Sequence, residues 1–398
     1  MSLAFQDIVL CGGVRTPFGD FGKSLREVPL SALGTHATRS ALRRLDLDPA
    51  QVDHLVFGVV GVVDHDGPFV SRKVALNSGL PIDSAALTVT RACGSGVQAM
   101  VSAAEQIASG HSDIAVAAGG ENFSRAPYLN TTQRFGAQRG PVTLEDGLDS
   151  IYRCPFSRAL MGDTAETLAE QFGYGREAMD DYGYLSQMRA KAAAQSGFLA
   201  RQIEPIEVPE GKGRTRLFAE DEFPRPNVLR EKLSQLKPAF KAGGTVTAGN
   251  ASGVTDGAAA LIVARGSALP GHVAPRARLV DYAVAGVPPE IMGAGPVPAI
   301  EKLLRRQSLR VDDIDYFEIN EAFAVVNLHA EALLGIPRER SNLYGGGISI
   351  GHPPGATGLR MALCAMQHLE DTGTRRAIIS MCLGSGMGMA ALIERIPA

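Results

Sequence analysis

Residues 87–100 read LTVTRACGSGVQAM and join two different local patterns. The first residues are β-branched and apolar, which is typical of a strand, and the last are small and apolar at helical spacing. The turn between them carries Cys93, followed by Gly94 and Gly96, whose missing side chains let the backbone approach a ligand closely. We therefore predict a strand, a sharp turn and a helix, with Cys93 at the N-terminus of the helix.

Cys93 is the first candidate for chemistry. The first turn of a helix has unpaired N–H groups and a dipole that favours an anion. We expect this position to lower the pKa of the Cys93 thiol and to make it a nucleophile. The alternative is that Cys93 is a small buried apolar residue, as most free cysteines are. The Gly-Ser-Gly sequence that follows Cys93 favours the nucleophile.

A second stretch surrounds one histidine with glycine and proline. Residues 345–358 read GGGISIGHPPGATG, so His352 lies in a rigid loop just before a helical pattern. A histidine in such a loop is well suited to activate a thiol or to donate a hydrogen bond. A purely structural loop histidine is the alternative that this stretch alone leaves open.

Two further stretches carry polar groups where apolar strands end. Residues 380–389 read SMCLGSGMGM, so Cys382 leaves a strand into a glycine-rich turn much as Cys93 does. Consecutive N–H groups in such turns can form an oxyanion hole. In residues 317–324, FEINEAFA, we expect Asn320 to cap a helix that extends from Glu321 to Leu334. Capping alone would explain this Asn-Glu pair.

Composition disfavours several classes of protein. The chain has 398 residues, is 45% hydrophobic and carries a net charge of −3, whereas general nucleic-acid binders are basic. The five cysteines form no CxxC pair, so we predict reduced thiols and no metal site. No stretch is long and apolar enough for a membrane span, and the N-terminus lacks a signal-peptide pattern. We therefore expect a cytoplasmic protein.

The chain is organised as alternating strand and helix patterns, which predicts an α/β fold. Asp53 in residues 51–57 and Asp315 in residues 313–319 begin similar strand patterns, each followed by a glycine-rich turn and a helix. We interpret this as one βα unit present twice, with chance similarity as the alternative. Residues 121–245 differ in composition and are predicted to be an insertion that covers one face of the sheet layers and binds a substrate or a partner.

Together these stretches resemble the thiolase family, and the likeness extends over essentially the whole chain. The motifs that carry it are the nucleophile loop at 93–96, Asn-Glu-Ala-Phe at 320–323, Gly-His-Pro at 351–353 and the second-cysteine loop at 382–388. They occur in the order that the family shows. Further blocks that resemble the family lie at 120–122, 161–166, 245–253 and 292–298.

The resemblance implies a five-layered αβαβα fold made of two pseudo-symmetric βαβαβαββ halves with an inserted loop domain. The first half would comprise residues 1–120 plus 246–273, the loop domain residues 121–245, and the second half residues 274–398. The loop domain would bind coenzyme A and make oligomer contacts. A homodimer or a homotetramer is implied, with a tetramer-forming loop at 124–149.

The resemblance also implies a coenzyme-A-dependent acyltransferase with no tightly bound cofactor. His352 would draw the proton from Cys93, whose thiolate attacks an acyl-CoA. N–H groups near Cys93 and Gly384 would bind the developing negative charge. Cys382 would move a proton at C2 of acetyl-CoA or at the thiol of coenzyme A. His352 and a water held by Asn320 would stabilise the enolate oxygen.

Contacts with coenzyme A and acetyl-CoA, the expected substrates, follow from the same resemblance. Ser252 would touch the pantetheine arm, and Arg225 would face the nucleotide end. The remaining contacts would come from Met161, Ala322 and Phe323. Because coenzyme A leaves before the second substrate enters, the implied kinetics are ping-pong.

Some positions depart from the common family pattern without removing a catalytic group. Leu160 stands where many acetoacetyl-CoA enzymes have histidine, and Tyr344, Pro354 and Ser385 replace a common Asn, Leu and Gly. The change at Leu160 favours longer 3-ketoacyl-CoA substrates, as in fatty acid metabolism. A strict acetoacetyl-CoA thiolase is the alternative. A ketoacyl synthase and an inactive thiolase-like lipid-binding protein are less favoured, since the second cysteine and every catalytic group are present.

Overall fold

The computed structural model describes Phe5, residues 7–136 and residues 139–397. Met1–Ala4, Gln6, Ala137, Gln138 and Ala398 lie outside the described residues, and with them both ends of the predicted halves and part of the predicted tetramer loop. The strands in the described ranges are β1 (Ile8–Arg15), β2 (Gly19–Asp20), β3 (His54–Gly58), β4 (Ala85–Val89), β5 (Ile114–Glu121), β6 (Tyr128–Leu129), β7 (Glu145–Asp146), β8 (Ile206–Gly211), β9 (Arg214–Phe218), β10 (Thr255–Arg265), β11 (Ala277–Gly286), β12 (Tyr316–Ile319), β13 (Arg376–Leu383) and β14 (Met387–Arg395). The α-helices are α1 (Leu30–Arg44), α2 (Val70–Asn77), α3 (Ser95–Ala108), α4 (Gly147–Tyr152), α5 (Met161–Phe172), α6 (Arg176–Gln195), α7 (Arg230–Leu233), α8 (Pro296–Gln307), α9 (Ala324–Leu334), α10 (Gly347–Ile350) and α11 (Pro354–Thr372).

The main sheet runs in the order β12-β13-β14-β11-β1-β10-β5-β3-β4 and consists of two halves with the same pairing pattern. In the first half β3 pairs parallel with β4 and β5, and β10 and β1 continue antiparallel. In the second half β12 pairs parallel with β13, and β14 and β11 continue antiparallel. A single parallel bridge between Phe317 and Ser341 stands where β4 stands in the first half. The halves meet where β1 pairs briefly with β11.

The repeat seen in the sequence has a structural counterpart in two aspartates. Asp53 precedes β3, and its carboxylate accepts the backbone N–H of Asp113 at 2.6 Å and of Ile114 at 3.2 Å, where β5 begins. Asp315 precedes β12, and its carboxylate accepts the N–H of Arg375 at 2.9 Å and of Arg376 at 2.8 Å, where β13 begins. The same side chain fixes the same strand register in both halves, so the pseudo-symmetric pair is confirmed.

Helices and sheet halves stack in five layers, as the resemblance implied. Helices α3 and α11 pack against each other and against the inner faces of both sheet halves, and their residues form one continuous buried core. Helices α1 and α2 cover the outer face of the first half, and α8 and α9 that of the second. Burying an aliphatic side chain such as Leu359 contributes about 1.5–3 kcal/mol, so this stack holds the two halves in a fixed relation.

The central helices approach each other so closely that glycine is required. A Cβ placed on Gly96 of α3 would lie 2.6 Å from the carbonyl oxygen of Gly355 and 3.1 Å from the nitrogen of Gly358. No side chain fits such a distance, because carbon and oxygen atoms that are not bonded repel below about 3 Å. The N-terminal turns of α3 and α11 are therefore in direct backbone contact.

Residues 121–245 are less irregular than the loops expected there. They contain α5, α6 and the hairpin β8–β9. Apolar residues of α5 and α6, among them Leu168 and Tyr182, join the core formed by α8 and α9. Helices α5 and α6 thus pack on the outer layer of the second half, whereas Ile206, Val208 and Phe218 of the hairpin join the core of the first half. Among the helices that the structure describes, none combines the length and apolarity needed to cross a membrane.

Candidate active site

Cys93 lies in the turn between β4 and α3, where the sequence predicted it. Ala92 has a φ of 45°, in the left-handed region that residues with a side chain rarely adopt. The Ser95 hydroxyl stabilises this turn, because it accepts the N–H of Arg91 at 2.9 Å and donates to the carbonyl of Ala92 at 2.7 Å. Backbone strain of this kind costs about 1–3 kcal/mol and persists only where the surroundings fix it. The turn holds the Cys93 thiol beyond the end of the strand.

The expectation that the helix N-terminus lowers the pKa of Cys93 is wrong. Enclosure of the sulfur by protein atoms raises its pKa to about 11. The backbone N–H groups of Gly384 and of Cys93 itself bond to the sulfur and oppose this shift, while the charge of Glu121 adds to it. The thiol is therefore protonated at neutral pH and needs a base.

Cys382 is the second thiol at this place. It lies near the end of β13 and is fully buried. Burial raises its pKa, and the charge of Cys93 raises it further. The turns that carry the two thiols are in contact, since a Cβ placed on Gly94 would lie 2.7 Å from Cδ2 of Leu383. Gly384, whose N–H bonds to the Cys93 sulfur, lies in the turn that follows Cys382.

His352 is held in one tautomer by the helix that follows it. The Thr357 hydroxyl donates to the carbonyl of Pro353 at 2.9 Å, so its oxygen must accept from Nδ1–H of His352, at 2.7 Å. The Nε2 atom of His352 therefore keeps its lone pair. Burial lowers the pKa of His352 to about 3, and the positive charge of Arg360 makes a smaller contribution in the same direction. The imidazole is neutral and able to accept a proton through Nε2.

Asn320 connects the histidine to the strand that carries Cys382. Its backbone N–H donates to the carbonyl of Ser380 at 2.8 Å and so extends the pairing of β12 with β13. Its side-chain Nδ2 lies 3.3 Å from Nε2 of His352. Its Oδ1 is buried and has no hydrogen-bond partner among the described residues. This oxygen is an acceptor available to a bound molecule or a water.

The prediction that Asn320 caps a helix is wrong. Helix α9 begins at Ala324, and Phe323 occupies the capping position with extended backbone angles. Residues 320–323 remain extended because they bond to a neighbouring loop: the N–H of Ser252 donates to the carbonyl of Ala322, and that of Ala324 to the carbonyl of Asn250. Because of this pairing the helix begins at Ala324 instead of Glu321, and the Asn320 side chain is free to reach His352.

Four segments that are distant in sequence thus meet at one end of the sheet. The turns after β4 and β13 bring Cys93, Cys382 and Gly384 together. The residue after β12 carries Asn320, which contacts His352. The loop of His352 leads into α11, whose first turn touches the first turn of α3 directly after Cys93. These groups lie at the carboxyl ends of parallel strands, where open α/β sheets bind ligands.

The side chains expected to contact coenzyme A lie beside these groups. Met161 begins α5, and its sulfur is 3.5 Å from where a Cβ of Gly384 would be. Ser252 pairs with Ala322 through its backbone, as described above. The ring of Phe323 stands edge-on to that of Phe240, with centroids 6.1 Å apart.

Arg225 lies farther out, at the end of a continuous line of contacts. The ring of Phe223 packs on Gly253, next to Ser252, at a distance that leaves no room for a side chain there. The Arg225 guanidinium stacks over that ring, 5.5 Å from its centroid, and is exposed. The Arg225 backbone N–H donates to Oε1 of Gln187 at 2.8 Å. The Arg225 guanidinium thus lies at the protein surface, at the outer end of this line of contacts.

The structure adds three residues that the sequence did not single out for this site. Thr357 fixes the tautomer of His352. Tyr152 is half-buried; desolvation raises its pKa, and the charges of Cys93 and Glu121 raise it further. Glu121 accepts hydrogen bonds from the loop after β3 and from the first turn of α11. Thr357 had a signal, since it follows His352 in the first turn of a helix, and Glu121 lies in the block at 120–122 that resembles the family, whereas Tyr152 had none.

Comparison with known proteins identifies the family. The family model of the thiolase N-terminal domain matches residues 8–267, and that of the thiolase C-terminal domain matches residues 273–395. The beta-ketothiolase BktB of Cupriavidus necator is 42% identical over 98% of this chain and 100% of its own length. Acetyl-CoA acetyltransferase from the same organism is 38% identical, over 98% and 99%.

Solved structures agree with the sequence comparison. The human mitochondrial 3-ketoacyl-CoA thiolase in complex with CoA superimposes with a TM-score of 0.94 at 38% identity, covering 98% of both chains. The Bacillus anthracis acetyl-CoA acetyltransferase superimposes with a TM-score of 0.95 at 38% identity, covering 99% of this chain and 100% of that one. The chain therefore belongs to the thiolase family and is an acyltransferase.

Proposed function

We propose that this chain catalyses the reversible thiolysis of 3-ketoacyl-CoA to acetyl-CoA and a shortened acyl-CoA, through an acyl group on Cys93. The observation that carries the proposal is the meeting of two thiols, one neutral imidazole and inward-pointing N–H groups at one place. A nucleophile, a base and an oxyanion hole are the parts that acyl transfer requires.

In the first half of the reaction, the proton of Cys93 passes to Nε2 of His352 as the sulfur attacks the keto carbonyl at C3. The resulting oxyanion accepts hydrogen bonds from the N–H groups of Cys93 and Gly384; such donors typically contribute about 3–4 kcal/mol. The C2–C3 bond then breaks, which leaves an acyl-Cys93 and the enolate of acetyl-CoA. His352, now protonated, and the Asn320 side chain stabilise the enolate oxygen, and Cys382 protonates C2.

In the second half, coenzyme A replaces acetyl-CoA and attacks the acyl-Cys93. The Cys382 thiolate left by the first half accepts the proton of the coenzyme A thiol. The Cys93 sulfur leaves and regains its proton from His352, so all groups return to their starting state. The pKa values of Cys93, raised to about 11, and of His352, lowered to about 3, keep the resting pair neutral until a substrate arrives.

Coenzyme A is proposed to bind along the line of contacts that leads away from Cys93. Met161, Phe323 and Ser252 would surround the narrow pantetheine arm, and Arg225 would face the nucleotide phosphates. A neighbour of this fold, the human enzyme, has been crystallised with CoA, which supports such a site. An exposed guanidinium suits a phosphate because it stays charged and presents several donors.

The proposal extends to chain length through a cavity next to the site. A space of about 620 Å³ opens at the carboxyl end of β3, close to α4, whose last residue, Tyr152, is electrostatically coupled to Cys93. Arg125 pairs with Asp64 at 2.7 Å and Ser150 donates to the carbonyl of Gly147, while His65, the remaining polar side chain of the lining, is exposed. The apolar groups that the cavity offers a ligand come from Val60, Val62, Val63, Ala126, Pro127, Leu129 and Ile151.

We expect thiolysis to extend beyond acetoacetyl-CoA. In a series of 3-ketoacyl-CoA chains, kcat/KM should rise by about fourfold for each methylene buried, equivalent to about 0.8 kcal/mol. Ile151→Trp should remove this increase by filling the cavity and leave acetoacetyl-CoA thiolysis within about twofold. Leu333→Trp, on an exposed side chain in the last turn of α9, is the matched control. Activity confined to acetoacetyl-CoA would favour the strict acetoacetyl-CoA thiolase instead.

A homodimer is proposed from the free edge of the sheet. β4 ends the strand order, and its outer edge pairs with no strand that the structure describes. Leu87 on β4 and Ile82 just before it are exposed, Ile82 by 78%. Long exposed apolar edges are rare in proteins that remain monomeric. A tetramer of two dimers is supported by exposed apolar residues within 124–149: Tyr128, Leu129, Phe135, Val142 and Leu144.

Leu87→Asp should convert the dimer to a monomer, because it places facing carboxylates in the middle of the shared edge. Leu217→Asp, on the exposed strand β9 away from that edge, should leave the oligomer unchanged. Light scattering after size-exclusion chromatography measures both. A wild-type monomer, or a Leu87→Asp protein of unchanged mass, would rule the interface out. A cytoplasmic location is also proposed, since all five cysteines are free thiols.

A further inference from the structure

Glu121 is a buried carboxylate beside the site, and the chemistry above gives it no role. It is the last residue of β5 and has no exposed surface. Its Oε1 accepts the backbone N–H of Val60 at 2.7 Å and that of Gly355 at 3.2 Å, and its Oε2 accepts that of Gly61 at 3.0 Å. Three backbone donors from two separate segments therefore converge on one side chain.

The donor Gly355 belongs to the first turn of α11. N–H groups in a first turn have no acceptor within the helix, and Pro354 has no N–H to donate. Glu121, at the end of β5, therefore accepts a hydrogen bond from the first free N–H of α11. Its negative charge also suits a helix N-terminus. The same turn contains Thr357, which holds Nδ1 of His352 at 2.7 Å. A displacement of this turn would therefore move the imidazole.

The turn also sits directly on the first sheet half. A Cβ on Gly355 would lie 2.3 Å from the carbonyl oxygen of Gly58 and 2.6 Å from the nitrogen of Gly120. The other two donors to Glu121, Val60 and Gly61, follow β3. Val59, which precedes them, donates its N–H to the carbonyl of Val89 at the end of β4. Since β4 leads to Cys93, the Glu121 carboxylate joins the segment that carries His352 to the strands that position Cys93.

We propose that Glu121 is a positioning residue, which fixes the first turn of α11 and with it the His352 ring relative to Cys93. This inference rests on the proposed acyl transfer through these two residues. Misplacement of a catalytic group by about 1 Å lowers rates by about a hundredfold. A glutamine at this position cannot replace the carboxylate fully, because its NH₂ group cannot accept the N–H bonds that one carboxylate oxygen accepts.

Electrostatics alone predicts the opposite outcome, which makes the role testable. Cys93, Tyr152 and Asp256 face Glu121. Because the charge of Glu121 raises the pKa of Cys93, removing that charge would make the thiol more reactive. Burial raises the pKa of Glu121 itself to about 8, so the comparison is made above that pH, where the wild-type carboxylate is charged.

The experiment measures two rates in Glu121→Gln, Glu121→Asp and the control Asp256→Asn. Asp256 is a neighbouring buried carboxylate that accepts the N–H of Ser124 at 3.1 Å, away from α11. One rate is kcat and KM for thiolysis of acetoacetyl-CoA; the other is alkylation of Cys93 by iodoacetamide, located by peptide mapping. Thermal unfolding of each variant shows whether it is folded.

We expect Glu121→Gln to lower kcat by about tenfold to a hundredfold, with KM within about threefold, and to slow Cys93 alkylation. Glu121→Asp, which keeps both acceptor oxygens, should recover part of both rates, and Asp256→Asn should resemble the wild type. Faster alkylation, or wild-type kcat in a folded Glu121→Gln protein, would overturn the proposal. If Glu121→Gln fails to fold, Glu121→Asp decides: a lowered kcat at unchanged KM supports the role, and a wild-type kcat contradicts it.

The two proposals fail separately in this experiment. Alkylation of Cys93 needs no acyl-CoA, so the effect of Glu121 on His352 and Cys93 can be read even if the chain does not perform thiolysis. A wild-type protein without thiolysis would contradict the proposed function. Wild-type thiolysis together with unaffected Glu121 variants would contradict only the positioning role.

Discussion

Replacing Cys93 with alanine is expected to lower the kcat of thiolysis by about 10⁴-fold or more and to abolish labelling of the protein by radioactive acetyl-CoA. The reason is that every later step proceeds from the acyl group on the Cys93 sulfur, and removal of a nucleophile eliminates the covalent route. The variant should fold, because the partly exposed Cys93 fills no large volume and the turn is held by Ser95.

Cys11→Ala is the matched control for this variant. Cys11 is also a free thiol, but it lies in the core between the first sheet half and α1, away from the site. The Cys11→Ala protein should retain both labelling by acetyl-CoA and turnover. Full labelling of Cys93→Ala would place the nucleophile elsewhere and contradict the proposed chemistry.

Cys382→Ser is expected to separate the two halves of the reaction. Acetyl-CoA should still label Cys93 in part, because the nucleophile, His352 and the N–H groups of the oxyanion hole remain and coenzyme A can leave as a thiolate without a proton from residue 382. Turnover of 3-ketoacyl-CoA should fall by about 10²–10⁴-fold, since a hydroxyl is a much weaker acid than a thiol and proton transfer contributes a factor of this size. Retained labelling combined with slow turnover is the expected signature.

Labelling and steady-state thiolysis, measured on the same preparation, test this variant. Cys11→Ser, which makes the same atomic change in another core, should leave both unchanged apart from a loss of stability. Unchanged turnover in Cys382→Ser would remove Cys382 from proton transfer. Complete loss of labelling together with turnover would mean that coenzyme A cannot leave without a proton from Cys382, and the two halves would then not separate.

The local parts of the site could be predicted because each is encoded in a short stretch. Glycine around Cys93 and Cys382 indicated turns at strand ends, and glycine and proline around His352 indicated a loop before a helix; the structure has all three. The repeat could be recognised because an aspartate, Asp53 or Asp315, accepts backbone N–H groups at the start of the neighbouring strand in both halves. Layer order then followed from the alternation of strands and helices and from the family resemblance.

What could not be predicted depends on partners that are remote in the chain. The pKa of Cys93 is set by enclosure, which local sequence does not report, so the helix effect alone gave the wrong direction. The start of α9 is delayed by the loop at Asn250, whose pairing no local propensity reveals. Glu121 reaches Gly355 across more than half of the chain, and only the fold brings them together.

The most direct test of the account is to locate the covalent intermediate. The wild-type protein is mixed with acetyl-CoA, quenched in acid and digested, and its peptides are examined by mass spectrometry. We expect one acetyl group, on the peptide that contains Cys93, together with release of an equal amount of coenzyme A. An acetyl group on another residue, or rapid thiolysis with no acetylated peptide under the same conditions, would contradict the account.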